Sequence, residues 1–407
     1  MITGQDIVII SSTGWKHVWE GNHEIATRLA QAGNRVFYIE HMGFRGPSLR
    51  KLTRALGYPV RWLKRARSLG ADAAIEGLYV CTPLVLPPFG SRMQCWINRV
   101  LLVPMVARAC RRLGLRDPVI LNYLPTDSAS DLIDLMRSDL KALISLHVTA
   151  YEEIVKDVRR LRASEIPLLR GSDLVLTQGP VIARWCRQFN GNVHEMTHGV
   201  DMESFPLTGD AHPEIAALKR PVIGYVGGMH DALDYDLVNA MTALRPEWHW
   251  VFVGLQRGGP MIQQRANVHM PGWIPHGELH RYVRAFDVCI IPYVESAASD
   301  HVFPTKLYEY LAAGRPVVST RMPLVIAIQR EHPVFVTAPA AAPLFLEAVE
   351  SAMLQNSEAD ARDRRALAAL NDWELRIETL SSFIELAIAG REGSKSDWIR
   401  PAQSAAG

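Results

Sequence analysis

The residue types and spacings best suited to chemistry lie in FPTKLYEYLAAGRPVVST, from Phe303 to Thr320. Phe303-Pro304 predicts extended chain, Thr305 a cap, Lys306 to Ala313 a helix, Gly314 its stop, and Pro316 to Thr320 a returning strand. Lys306 and Glu309 then share one helix face. A lysine in the first turn opposes the helix dipole, and lysine before glutamate is the weaker order for a surface pair, so helix stabilisation does not account for them. An anion bound at the helix start reverses the sign of that cost. The pattern points to Lys306 meeting a diphosphate while the Glu309 carboxylate accepts the hydrogens of a ribose diol.

Two glycine loops fit the same chemistry, because backbone N–H groups and a helix dipole beyond a strand end both favour an anion. In SSTGWKHVWEGNHEIA, Gly14 follows a strand and leaves Trp15, Lys16, His17 and Trp19 on the loop. Trp15 and His17 are suited to stacking on a sugar or to packing the loop itself. In GYVGGMHDALDYDLV, Gly227 and Gly228 follow a strand and His230 and Asp231 are expected to enter a helix. A plain tight turn uses the same glycines. His147, closing the apolar run ALISLH, and Asp127, after NYLPT, are strand-end candidates for holding an acceptor or the transferring sugar. Their structural alternatives are a satisfied core histidine and a helix N-cap.

The elements that must position these groups alternate short β-branched runs with helical stretches, which predicts parallel sheets with crossover helices. A first set runs through Asp6 to Ser11, Arg35 to Glu40, Pro118 to Asn122, Ala142 to Leu146, Leu174 to Thr177 and Val193 to Met196. A second runs through Val222 to Val226, Trp250 to Gly254, Val268 to Met270, Val288 to Pro292 and Pro316 to Thr320. The expected organisation is an α/β pair of Rossmann-like domains, 1–205 and 206–371, followed by a crossover helix, 372–389, and a disordered tail, 390–407.

A chain of 407 residues with 48% hydrophobic and 21% charged residues exceeds one core and is too apolar for disorder. Its five scattered cysteines, never in a C-x-x-C pair, argue against a disulfide framework or zinc ribbon and for a reducing compartment. The first ten residues lack the basic start of a secretory signal, and no apolar run approaches the roughly 18 residues of a spanning helix. A cytoplasmic protein is expected. The formal charge of +2 hides an asymmetry: His41 to Arg116 carries fourteen Lys and Arg against Asp72 and Glu76, a net +12 that leaves −10 elsewhere. Basic residues interleaved with Trp62, Leu63, Trp96, Ile97, Leu101 and Met105 suit an anionic membrane surface, the alternative being a solvated face. No nucleic-acid-reading motif accompanies the charge, so nucleic acid is not an expected partner.

Four stretches then resemble a known family in order and spacing: GNHEIATRLAQAGNRVFYIE, THGVDMESF, NVHMPGWIPHGELHRYVRAFDVCIIPY and KLYEYLAAGRPVVST. From about Asp6 to Leu380 the chain resembles GT-B fold glycosyltransferases of the large retaining family 4 type, many of which build bacterial surface polysaccharides. The resemblance implies a nucleotide sugar bound mainly by the C-terminal domain, an acceptor by the N-terminal domain, a final helix around Trp373 returning to the first domain, and no metal or other cofactor. Glu309 matches the second member of the family's paired glutamates, and His301 stands where the first is found. The family's Arg and Lys after the glycine loop are replaced by Gly228, Met229, His230 and, later, Asp234. Lys306 can restore part of that charge, with His230, Arg257 and His301 as further candidate donors to phosphate or sugar.

The expected activity is transfer of a sugar, with retention, from a nucleoside diphosphate to a hydroxyl of a lipid-linked or surface-polysaccharide acceptor, by a cytoplasmic enzyme peripheral on the membrane. A nucleotide-sugar epimerase of the same fold and a catalytically silent partner or membrane-binding subunit are the alternatives.

Overall fold

The computed structural model describes residues 1–16, 19–40, 70–71, 75–83, 85–86, 91–147, 158–256, 260–296 and 299–398. His17, Arg257 and the basic residues Arg45 to Arg67 lie outside the described residues. The chain divides into two units, Met1–Met196 with Ile377–Gly407, and Thr197–Arg376.

In the first unit the apolar runs form a sheet of β1 (Asp6–Ile10), β2 (Arg35–Ile39), β3 (Gly70–Ala71), β4 (Leu78–Cys81), β5 (Val119–Asn122), β6 (Ala142–His147), β7 (Leu174–Thr177) and β8 (Val193–Glu195). Their order is β3-β4-β2-β1-β5-β6-β7-β8. All pairings are parallel except β3 with β4. Burial on both faces explains why β1, β5 and β7 read as continuous apolar runs with no alternation. β4 escaped the sequence reading because LYVC is short and stands between Gly77 and Thr82. Its entry is a glycine by necessity: Gly77 has φ +80, and a Cβ there would lie 2.8 Å from the Asn34 carbonyl oxygen.

The second unit holds β9 (Val222–Val226), β10 (His249–Val253), β11 (Val268–Gly272), β12 (Val288–Ile291), β13 (Val317–Thr320) and β14 (Val336–Ala338). They pair in parallel in the order β11-β10-β9-β12-β13-β14. Two Rossmann-like units are thus present. In each sheet the strand order reverses at one point, between β1 and β5 in the first and between β9 and β12 in the second. The crevice outside the carboxyl ends of such strands is where open α/β sheets bind ligands.

Several expectations need correction. The unit boundary falls at Met196/Thr197 and not at 205/206, because Val200 bridges Asp372 and Phe205 joins the second unit's core. The last helix runs Trp373–Trp398, so 390–398 is helical where disorder was expected; Arg391 anchors it through a 2.8 Å bond to Asp173. Residues up to Arg376 belong to the second unit and those from Ile377 to the first. Among the described residues, no helix is long and apolar enough to cross a membrane.

Inside β9, Gly224 lies under the buried Phe286 ring, and a Cβ there would sit 2.0 Å from a ring carbon. Gly224→Ala is expected to cost about 1–3 kcal/mol through forced displacement of that ring, read as a lower denaturation midpoint that Phe286→Leu partly restores. An unchanged midpoint would refute the close packing.

Candidate functional site

The second sheet's reversal point gathers groups far apart in sequence. The parallel register sets Val226 beside Val253, so the turns at Gly227 and Gly254 meet edge to edge. Both have positive φ, +138 and +139, and a Cβ on Gly254 would stand 2.1 Å from the Gly227 carbonyl oxygen. Only glycine fits there. The Gly227 N–H donates to the Val253 carbonyl at 2.9 Å, whereas the Gly228 N–H has no hydrogen-bond partner among the described residues.

Lys306 opens the helix Lys306–Ala312 as the sequence predicts, and Gly314, at φ +70, follows its end. Thr305 does not cap it: its backbone is already helical and its side chain makes no capping bond. Lys306 is only 9% exposed, and its side chain lies along the Gly227 turn, where a Cβ would be 3.0 Å from its Cε and 3.3 Å from its Nζ. Its ammonium donates to the Tyr293 hydroxyl and stands 4.7 Å and 5.2 Å from the ring centres of Tyr293 and Tyr225. Tyr225 in turn donates to the Gly228 carbonyl at 3.0 Å. Burial, then Tyr293, raises the Tyr225 pKa well above its ordinary value, so its hydroxyl stays protonated.

His230 and Asp231 lie on the loop and not in the helix, which starts at Tyr235 after Asp234 caps it by accepting from the Leu237 N–H at 2.9 Å. Burial and the Lys306 charge push the His230 pKa below 6.5. Its Nδ1 accepts from the Ala232 N–H at 3.3 Å, which leaves the neutral ring's proton on Nε2. Lys306, the free Gly228 N–H and His230 together can stabilise a phosphate's negative charge.

Glu309 faces His276 Nε2 at 3.7 Å, an ion pair when that ring is protonated. The sequence offered no signal for His276, which enters from the 3₁₀ turn His276–Glu278. Phe303 packs on Tyr308 at 5.0 Å and, with Pro304, leads the chain into the helix. His301 closes the turn Ser299–His301, where its buried Nδ1 has no hydrogen bond among the described residues.

In the first unit, Gly14 and Trp15 follow β1 and Asp127 follows β5, both at that sheet's reversal point. The Trp15 N–H donates to Glu40 at 2.5 Å. Its ring lies 5.6 Å from Trp19, 5.2 Å from His23 and 5.1 Å from Tyr38. His23 is buried; Nδ1 accepts from the Glu20 N–H at 3.0 Å, so Nε2 donates to the Gly14 carbonyl at 3.2 Å. The loop's shape therefore rests on a histidine that the sequence reading passed over. Thr126, not Asp127, caps the helix Asp127–Met136 by accepting from the Ala129 N–H at 3.2 Å, while Asp127 accepts from Cys95 Sγ at 3.3 Å. His147 is 3% exposed, with Nε2 at 3.2 Å from Glu165, which also binds Arg162 at 2.6 Å. Among the described residues no three His, Cys, Asp or Glu side chains cluster as a metal site.

Residues 220–355 match the family model Glycosyl transferases group 1. TuaH of Bacillus subtilis (strain 168), described as a glycosyltransferase of teichuronic acid biosynthesis, is 30% identical over 191 residues, 44% of this chain and 48% of TuaH. The match thus spans about half that relative's length. Sucrose-phosphate synthase from Thermosynechococcus elongatus superposes with a TM-score of 0.67 at 16% identity, over 95% of this chain and 99% of that one. HepE of Anabaena, in complex with UDP and glucose, gives 0.65 at 14% identity over 94% and 99%. The fold is GT-B, and the resemblance to group 1 glycosyltransferases is borne out.

Burial holds the His23 pKa below its ordinary 6.5, whereas the unfolded chain protonates this ring near that value. The unfolded state then binds more protons as the pH falls below about 6.5, so stability present at neutral pH declines in acid. His23→Asn should flatten the fall of melting temperature between about pH 6.5 and 5, without abolishing it, because His269 is lowered as well. A fall as steep as the parent's would contradict this role.

Proposed function

We propose that this chain transfers a glycosyl group, with retention, from a nucleoside diphosphate sugar to a hydroxyl of a lipid-linked or surface-polysaccharide acceptor. The observation that carries the proposal is the Lys306 ammonium lying along the Gly227 turn at the reversal point of the second sheet. As the acceptor oxygen bonds to the anomeric carbon on the face from which the diphosphate departs, the bond from that carbon to the diphosphate breaks, its electron pair leaves with the phosphate, and the acceptor hydroxyl's proton passes to an oxygen of the departing phosphate. Lys306, the Gly228 N–H and His230 Nε2–H meet the developing charge, and Glu309 holds the ribose. Preorganised donors of this kind act without rearrangement during the reaction.

Phe303, Pro304 and Thr305 deliver Lys306 to that position, and His301 is assigned to the donor sugar. Gly14, Trp15, Asp127 and His147 are assigned to the acceptor, His147 being held by Glu165. These cationic and backbone groups make the proposed transfer independent of a divalent metal. TuaH's link to teichuronic acid supports a surface-polysaccharide acceptor, and HepE's complex makes UDP the first nucleotide to test.

A thermal-shift screen of UDP, GDP, ADP and their sugars, with and without Mg²⁺, is the direct test. One nucleotide series should stabilise the protein, by about 2.7 kcal/mol at a hundredfold excess over Kd, and Glu309→Ala should remove most of the shift. Absence of a shift with every nucleotide would refute the donor site. Turnover of the sugar donor without acceptor would indicate an epimerase instead.

His230 adds a pH signature. A bound diphosphate favours the charged imidazole, so binding takes up a proton and nucleotide-sugar affinity should rise as pH falls from 7.5 toward 6. Calorimetry of His230→Ala should give a flat profile. A parent profile that is itself flat would remove His230 from the phosphate site.

A further inference from the structure

The first unit carries a surface that sugar transfer does not require. The chain from Arg92 to Arg112 is one helical run: Arg92–Ile97, a π turn Asn98–Leu102, and Val103–Arg112. One face is fixed to the unit. Val103, Val106, Ala107 and Cys110 enter its core, and the buried Asn98 bonds both the N–H and the carbonyl of Leu86 at 2.8 and 2.9 Å.

The opposite face should be polar in a helix whose outer side meets water. It is apolar instead. Met93 is 70% exposed, Trp96 62%, Val100 55%, Leu101 57% and Met105 41%. The π turn inserts an extra residue per turn, which lets Val100 and Leu101 both face outward while Asn98 stays inside. Arg92, Arg99, Arg108, Arg111 and Arg112 border and extend this stripe, and no Asp or Glu occurs from Arg92 to Arg112. A contiguous exposed apolar patch marks an interaction surface.

We propose that this outer face docks the first unit on an anionic phospholipid surface, with Met93, Trp96, Val100, Leu101 and Met105 entering the headgroup boundary and the arginines meeting lipid phosphates. The charge selects the occupant. A second copy joined by two-fold symmetry would set arginine-rich faces against each other, which like-charge repulsion opposes. Nucleic acid would use the arginines but leave five large apolar side chains in water. An anionic bilayer satisfies both sets at once, with the indole suited to the boundary between acyl chains and headgroups. The proposal does not rest on the transferase reading.

Flotation of the full chain with vesicles tests it. The protein should float with vesicles of phosphatidylcholine mixed with phosphatidylglycerol at low salt, less at high salt, and not with phosphatidylcholine alone. Trp96→Glu combined with Leu101→Glu should weaken binding about tenfold or more, with an unchanged melting temperature, while Trp96→Phe should keep it. Three outcomes would overturn the proposal: no flotation of the parent with anionic vesicles, undiminished flotation of the double variant, or salt-insensitive binding. A fourth is a parent dimer in sedimentation that the double variant dissolves while flotation is unaltered, which would make the face a contact between copies.

Discussion

A charged lysine nine-tenths buried is costly unless dipoles, π faces or an anion compensate it. Around Lys306 the fold supplies the first two: the Tyr293 hydroxyl, the rings of Tyr225 and Tyr293, and the Gly227 turn. Much else in the second unit follows from maintaining that contact. Gly254 must lack a side chain so that the neighbouring turn can press against Gly227. Tyr310, wholly buried on the same helix as Lys306, accepts from the Val226 N–H at 2.7 Å and so ties that helix to the end of β9. Among the described residues no carboxylate forms an ion pair with Lys306, and the phosphate proposed at the turn is the partner for its charge.

The two sheets solve the positioning problem alike. Each reverses once, and the residues of chemical interest follow the strands on either side of that reversal: Gly14 and Asp127 in the first unit, Gly227 and Tyr293 in the second. Rigid parallel strands set the ends, and the loops beyond them carry the variable chemistry. In the first unit the loop after β1 is held by a buried neutral histidine and the rings of Trp19 and Tyr38, which leave the partly exposed Trp15 on its surface.

Much of this was legible in the sequence. Strands buried on both faces announce themselves as β-branched runs, and Leu174–Thr177 and Val222–Val226 begin and end where the composition predicts. The helix at Lys306 was readable because proline, glycine and a misplaced charge punctuate it. What escaped depends on partners distant in the chain. Tyr225 and Tyr293 look like ordinary strand-end aromatics until the β9–β12 pairing brings both to Lys306. His276 gains meaning only beside Glu309, and His23 only inside the aromatic box. The cap expected at Thr305 and the cap that was Asp127's structural alternative are both absent for a local reason: Thr305 already has helical dihedrals, and Thr126 precedes Asp127 by one residue and takes the role.

The central claim is that Lys306 meets the diphosphate of a nucleotide sugar. Its most direct test is calorimetric titration of the stabilising nucleoside diphosphate into the parent and into Lys306→Gln, both shown to be folded by their melting curves. Loss of one charge-assisted contact of about 1.5–3 kcal/mol predicts an affinity lower by roughly tenfold to a hundredfold. Equal affinities would contradict the account and leave Lys306 a structural residue.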